Sequence, residues 1–175
     1  EKRDTMLYAL GAGAGLGDAS TGDDLRFVFE KNLSALPTMA IMLAAPPFWL
    51  AEPSLGIDWK KILHGEQRLT MHRPLAAKGV VSGQEKVAAL YDKGAGKGCV
   101  MLLERSVNDA DTGDLIATIQ TTVFLRGNGG FGGTSEGAPK PQAMPDNDAP
   151  ELAIDLQTRE EQALIYRLSG DYNPL

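Results

Sequence analysis

Near the C-terminal end, Tyr166-Arg-Leu-Ser-Gly-Asp-Tyr-Asn-Pro-Leu175 sets an acid, Asp171, just past an expected helix end. Asn173 is pushed towards an extended backbone by Pro174. The negative end of a helix and partial burial both disfavour a charged carboxylate, so Asp171 is a candidate base. The same residues also satisfy ordinary helix-stop and turn chemistry. His64 and His72 are the only histidines, and strict strand alternation would put both on one side with Glu66 and Arg68. Such a pair is either structural or metal-binding, and the structural reading is the commoner. Asp109, Asp111 and Asp114 do not make a calcium loop: Gln120 stands where the closing acid is needed, and the flanks read as strands.

Two glycine-rich stretches fail as nucleotide sites. Gly11-Ala-Gly-Ala-Gly-Leu-Gly17 lacks the Gly-x-Gly-x-x-Gly spacing, and no helical pattern follows it. Gly94-Ala-Gly-Lys97 precedes Gly98, where a phosphate loop requires the magnesium-holding Ser or Thr. A single cysteine, Cys99, excludes an internal disulfide and a Cys-based metal site. Met39 and Met42 read first as core, and second as the pliable wall of an acyl pocket.

These residues must be held by a chain of 175 residues, enough for about one domain at ~100–200 residues each. The N-terminus opens on charges rather than the apolar region of a signal peptide, and something before Glu1 is expected to have been trimmed. The net charge of −6 and the lack of any basic cluster longer than Lys60-Lys61 argue against nucleic acid. The longest apolar run is cut by Pro46 and Pro47, well short of the ~20 residues of a membrane span.

Met6 to Leu10 reads as a short apolar run entering the glycine loop, and Leu25 to Phe29 alternates at period two, predicting a first strand. Met39 to Ala45, begun by Pro37 and halted by Pro46, predicts a helix apolar nearly all round and therefore buried. Strand-like stretches follow at Trp59 to Leu63 and Gly65 to His72. Val80 to Tyr91, Cys99 to Val107 and Leu115 to Leu125 are joined by turn-forming segments and predict an antiparallel meander. A proline-rich stretch with Pro139, Pro141, Pro145 and Pro150 reads as a linker. Beyond it, Thr158-Arg-Glu-Glu161 has the form of a capping box opening a helix. Leu164, Ile165 and Leu168 would line one face of that helix, and Gly170 would stop it.

Tyr166 to Leu175 resembles the signature of the MaoC-like, hot-dog-fold type 2 enoyl-CoA hydratases, Arg-Leu-Ser-Gly-Asp-x-Asn-Pro-Leu followed by a catalytic histidine. Earlier segments resemble the two-domain form of that family in the same order: Tyr8-Ala-Leu-Gly11, Asp24-Leu-Arg-Phe-Val-Phe-Glu30, Leu36-Pro-Thr38, Leu63-His-Gly-Glu-Gln67, Arg73-Pro-Leu75, Asp92-Lys-Gly94 and Gly129-Gly-Phe-Gly-Gly133. The resemblance implies an α+β hot-dog fold, an antiparallel sheet wrapped on a helix, plus the first part of a second hot-dog domain. It implies an acyl-accommodating, non-catalytic domain at 1–133, a linker at 134–150 and the start of a catalytic domain at 151–175.

The implied reaction is reversible hydration of a trans-2-enoyl-CoA to the (3R)-3-hydroxyacyl-CoA in fatty-acid metabolism. Asp171 would match the catalytic aspartate and Asn173 a positioning neighbour, with Met39, Met42 and His64 as candidates for substrate contact. No cofactor and no metal are expected, because the thioester itself acidifies C2. The expected partners are the acyl-CoA, a C-terminal hydratase half and a second copy in a homodimer, in a bacterial cytoplasm or, alternatively, a peroxisome. The sequence stops directly before the family's histidine, so the activity would require that C-terminal half. A non-catalytic acyl-binding or scaffold module is the alternative.

Overall fold

The computed structural model describes residues 1–16, 22–140 and 149–172. Four long strands dominate it: β1 (Ile62–Met71), β2 (Val81–Asp92), β3 (Cys99–Asp109) and β4 (Leu115–Leu125). They form one antiparallel sheet in the order β1-β4-β3-β2. The meander predicted from Val80 to Leu125 is therefore present, and β1 joins it alongside β4. Val, Ile, Leu and Thr fill these strands because branched side chains pack well on a pleated surface.

Alternation then decides which face is buried. Along β3, Cys99, Met101, Leu103, Arg105 and Val107 are buried while the residues between them are half-exposed. Val123, Ile119 and Ala117 oppose Met101, Arg105 and Val107 across the ladder. Each large side chain fully removed from water there contributes about 1.5–3 kcal/mol. The covering layer is the chain from Pro37 to Lys61, folded into short 3-10 turns at Pro37–Ile41, Trp49–Ala51, Pro53–Leu55 and Trp59–Lys61. Ala40 and Leu50 are its buried anchors. A methyl on Gly83 would fall 2.7 Å from Ala44 Cβ and 2.5 Å from the Ser106 carbonyl oxygen, so glycine there lets the covering layer sit directly on the sheet.

Several local expectations are corrected. Met6 to Leu10 belongs to a helix, α1 (Lys2–Gly11), that ends at the glycines. Leu25 to Phe29 is not a strand: α2 (Leu25–Val28) is one helical turn, because five residues cannot separate a period of two from a period of 3.6. Met39 to Ala45 is not an α-helix: its first three residues end the 3-10 turn Pro37–Ile41, and the chain then turns away, with Ala44 at φ +50°. Of that run only Ala40 is fully buried; the others are half-buried or, at Ala45, exposed. Trp59–Lys61 is likewise a 3-10 turn rather than strand.

The last helix, α3 (Gln162–Arg167), starts a turn later than Thr158, with Glu161 at its N-cap and no side-chain cap bond. The Gln162 side chain instead turns back to accept the Arg159 N–H at 3.1 Å. Leu164 and Leu168 are exposed, so the predicted apolar face is not the docking face. Gly170 does follow the helix end, at φ +106°.

The face that docks carries Gln162 and Tyr166, and it meets α1. A methyl on Gly11 would lie 2.7 Å from Tyr166 Cα, so glycine lets the two backbones touch. Gln162 Nε2 donates to the Gly11 carbonyl at 3.3 Å, and Arg159 donates to the Gly15 carbonyl at 3.0 Å. Tyr8 and Tyr166 stack obliquely, 5.9 Å between centroids. The glycine stretch after α1 is thus a receiving surface for α3.

Candidate active site

A cleft of about 720 Å³ opens between the covering layer and the buried face of the sheet. That volume lies within the ~300–1,000 Å³ of ordinary small-molecule pockets. Pro46, Phe48, Trp49 and Trp59 make one wall; Leu103 and Val123 from the sheet make the floor. Asp171 and Tyr172, delivered by α3, stand at the same cleft.

His64 also reaches the cleft, through a bulge. β1 pairs His64 with Val123 but Glu66 with Thr122, so Gly65 is an extra residue in the ladder. One extra residue inverts the alternation. His64 therefore faces inward, whereas Glu66 and Arg68 pair on the outer side at 3.0 Å and His72 bonds Thr118 there at 2.9 Å. The expectation that both histidines share a side with Glu66 and Arg68 is overturned by that glycine.

The methionines lie elsewhere. Met42 Sδ accepts the Tyr166 hydroxyl at 3.6 Å, which ties the covering layer to α3. Met39 borders a small separate cavity with Thr5 and Leu43. Asn173 lies outside the described residues. Burial pushes the Tyr166 phenol above its usual pKa, and the nearby Tyr8 and Asp171 add to that shift, so Asp171 lies within electrostatic reach of Tyr166.

Inside the cleft sit two charges that no sequence motif marks, Glu85 and Arg105, opposite one another on β2 and β3. Arg105 is only 7% exposed. Desolvation pulls its pKa down and the negative charge of Glu85 pulls it back up. The guanidinium Nη2 donates to the Ile41 carbonyl, and Glu85 accepts the Trp49 indole N–H at 3.0 Å. Parity alone could have found the arginine: it interrupts the series Cys99, Met101, Leu103, Val107 on the buried face.

The discarded motifs have structural duties. The Gly94, Gly130 and Gly132 amides point at the buried Asp92 carboxylate, at 2.8, 2.7 and 2.9 Å, so the Gly94 to Lys97 loop is clasped to the later glycines and offers no phosphate cradle. The Asp109 carboxylate accepts the Asp111 and Thr112 amides, and Asp114 takes Arg73 at 2.9 Å. Among the described residues no group of three or more His, Cys, Asp or Glu is placed to share a metal ion. Burial raises the Cys99 thiol pKa, which removes it as a nucleophile. No helix among the described residues is long and apolar enough to cross a membrane.

With the sheet, its covering layer and the cleft in view, the chain can be set beside known proteins. A model of the MFE-2 hydratase 2 N-terminal domain matches residues 1–127. The chain belongs to that family. A MaoC-like dehydratase from Phytophthora capsici superposes with a TM-score of 0.76 at 32% identity, covering 99% of this chain and 59% of that one. The MFE-2 hydratase 2 N-terminal domain is thus seen here in its hot-dog, α+β form. The 3-hydroxyacyl-thioester dehydratase Y of Mycobacterium tuberculosis is 42% identical over 173 residues, 99% of this chain and 58% of the relative. The peroxisomal enoyl-CoA hydratase 2 of Arabidopsis thaliana is 37% identical over 188 residues, 99% of this chain and 60% of the relative. The chain therefore spans about three-fifths of the length of these relatives.

Proposed function

We propose that this chain is the acyl-accommodating part of a hydratase that adds water across the C2–C3 double bond of a trans-2-enoyl thioester. The observation behind this reading is the placement of Asp171 at the edge of an apolar cleft of about 720 Å³. In the reaction, water oxygen bonds to C3, a proton is delivered to C2, and the double bond becomes single, giving the (3R)-3-hydroxyacyl-CoA. The apolar walls hold the alkyl chain and exclude water from it. Asp171 holds the attacking water and takes part in moving its proton, with the histidine that the family signature places after Leu175. The C-terminal half of the full-length protein supplies that histidine and the donors for the thioester enolate.

The division at 1–133, 134–150 and 151–175 is part of the proposal, as is turnover without an added cofactor. The setting proposed is a bacterial cytoplasm or, alternatively, a peroxisome: the relative at 42% identity is bacterial, and the one at 37% is named as peroxisomal. A homodimer is the expected assembly, and light scattering on the full-length protein tests it.

The deciding experiment follows loss of enoyl absorbance when full-length protein meets a 2-enoyl-CoA, with chiral analysis of the product. Wild type should give the 3R alcohol, and Asp171→Asn should lose hydration while still binding acyl-CoA. Normal turnover by the mutant would remove Asp171 from the chemistry. Acyl-CoA binding without hydration by wild type would favour the non-catalytic module.

A further inference from the structure

We propose that Glu85 and Arg105 form a specificity element in the cleft that takes an acyl chain bearing a hydroxyl group remote from the thioester. This inference rests on the acyl-thioester reading above and narrows its substrate class.

The two residues are cross-strand partners on β2 and β3, on the face that otherwise presents Val87, Leu103 and Val107. An apolar chain needs no charges there, and burying them is costly unless they are paired and hydrogen-bonded. Their pairing is incomplete. Arg105 is 7% exposed and lines the cleft, and its Nε, enclosed away from the opening, has no hydrogen-bond partner among the described residues. Glu85 gives one oxygen, Oε1, to the Trp49 indole at 3.0 Å. No hydrogen bond or ion pair among the described residues engages its other oxygen, and none joins it directly to Arg105.

A strong donor and a strong acceptor therefore stand side by side in an apolar cleft, separated by more than a direct contact. A hydroxyl satisfies both at once, its oxygen accepting from the guanidinium and its proton going to the carboxylate. A carboxylate on the ligand would meet Glu85, an ammonium would meet Arg105, and a methylene would satisfy neither. A ketone would answer the arginine alone. Of the other polar groups at the cleft, the Thr121 hydroxyl is already engaged with Gln67 at 3.0 Å.

The test is calorimetric titration of full-length protein with saturated acyl-CoA thioesters, which bind without being hydrated. One series carries a hydroxyl walked along the distal part of the chain, one carries a ketone, and one is plain. At one position the hydroxyl should bind about tenfold or more tighter than the plain chain, the scale of a hydrogen bond to a charged group.

Glu85→Gln keeps an oxygen for the indole N–H but turns the other acceptor into a donor. In that variant the hydroxyl can only accept, as a ketone does, so its advantage over the ketone should vanish while the ketone keeps its affinity. A variant damaged only in folding would lose all three ligands alike. If the plain chain binds and no hydroxyl position improves on it, or if Glu85→Gln keeps the preference, the specificity element is refuted and the acyl reading stands. If no acyl-CoA binds wild type at all, the acyl reading fails and takes this inference with it.

Discussion

Replacing Gly11 with alanine would show whether the crossing of α1 and α3 sets the position of Asp171. Alanine is the better helix former by about 1 kcal/mol, so α1 alone gains from the change. In the folded chain the new methyl would lie 2.7 Å from Tyr166 Cα and 3.0 Å from Tyr166 N. Carbon pairs settle at about 3.5–4.0 Å, so the helices must part by roughly 1 Å. Both nearest atoms are backbone, and no side-chain rotation relieves the contact. Overpacking of this kind costs about 1–3 kcal/mol, of which helix propensity offsets at most about 1 kcal/mol.

The net effect on stability is therefore small, about 0–2 kcal/mol. Function should respond far more. Tyr166 would withdraw from Met42, and Asp171, five residues further on, would move with it. A displacement of about 1 Å at a reacting group costs up to about a hundredfold in rate. Thermal melting and initial hydration rates of full-length Gly11→Ala provide the assay: near-normal melting with kcat down about ten- to a hundredfold is expected. An unchanged kcat would refute the idea that this contact positions the carboxylate.

Ile119→Ala empties a site that is 1% exposed and should destabilise by about 2–5 kcal/mol, seen as a lower urea midpoint at unchanged slope. The Gly130, Gly94 and Gly132 amides hold the Asp92 carboxyl below its ordinary pKa, so its ionised form stabilises the fold. That contribution is fully present above the unfolded value near ~3.9 and is lost as pH falls through the lower folded value. Asp92→Asn should flatten the fall in stability below about pH 4, measured by denaturant titration across pH. Trp49 and Trp59, the only tryptophans of the chain, both line the cleft, so a long-chain acyl-CoA should change indole emission, less so in Trp49→Phe. Emission indifferent to saturating ligand would place binding elsewhere.

Long strands were the most legible feature of the sequence. Leu115 to Leu125 matches β4 residue for residue, and the two preceding strands agree within two residues at each end, because a dozen residues of one composition between turn formers leave little choice. Short elements were not legible: α2 is four residues, and prolines at 37, 46, 47 and 53 divide the covering layer into turns too brief for a period to register. The site was half legible. Asp171 is legible from the family signature and His64 from its rarity, but the inward turn of that histidine depends on one unpaired residue in a ladder. A glycine inside a strand is the available sign of such a bulge. Arg105 and Glu85 needed only the alternation carried through to its exceptions.

The meeting of α1 with α3 joins residues that leave the ribosome far apart in time. Gln162 bonds Gly11 across 151 positions, and Arg159 bonds Gly15 across 144. At synthesis rates of about 5–20 residues per second, α1 waits roughly 8–30 s for its partner. During that interval the sheet can close over its covering layer, since β1 to β4 are all made first. The carboxylate of Asp171 therefore arrives at a cleft whose floor is already built.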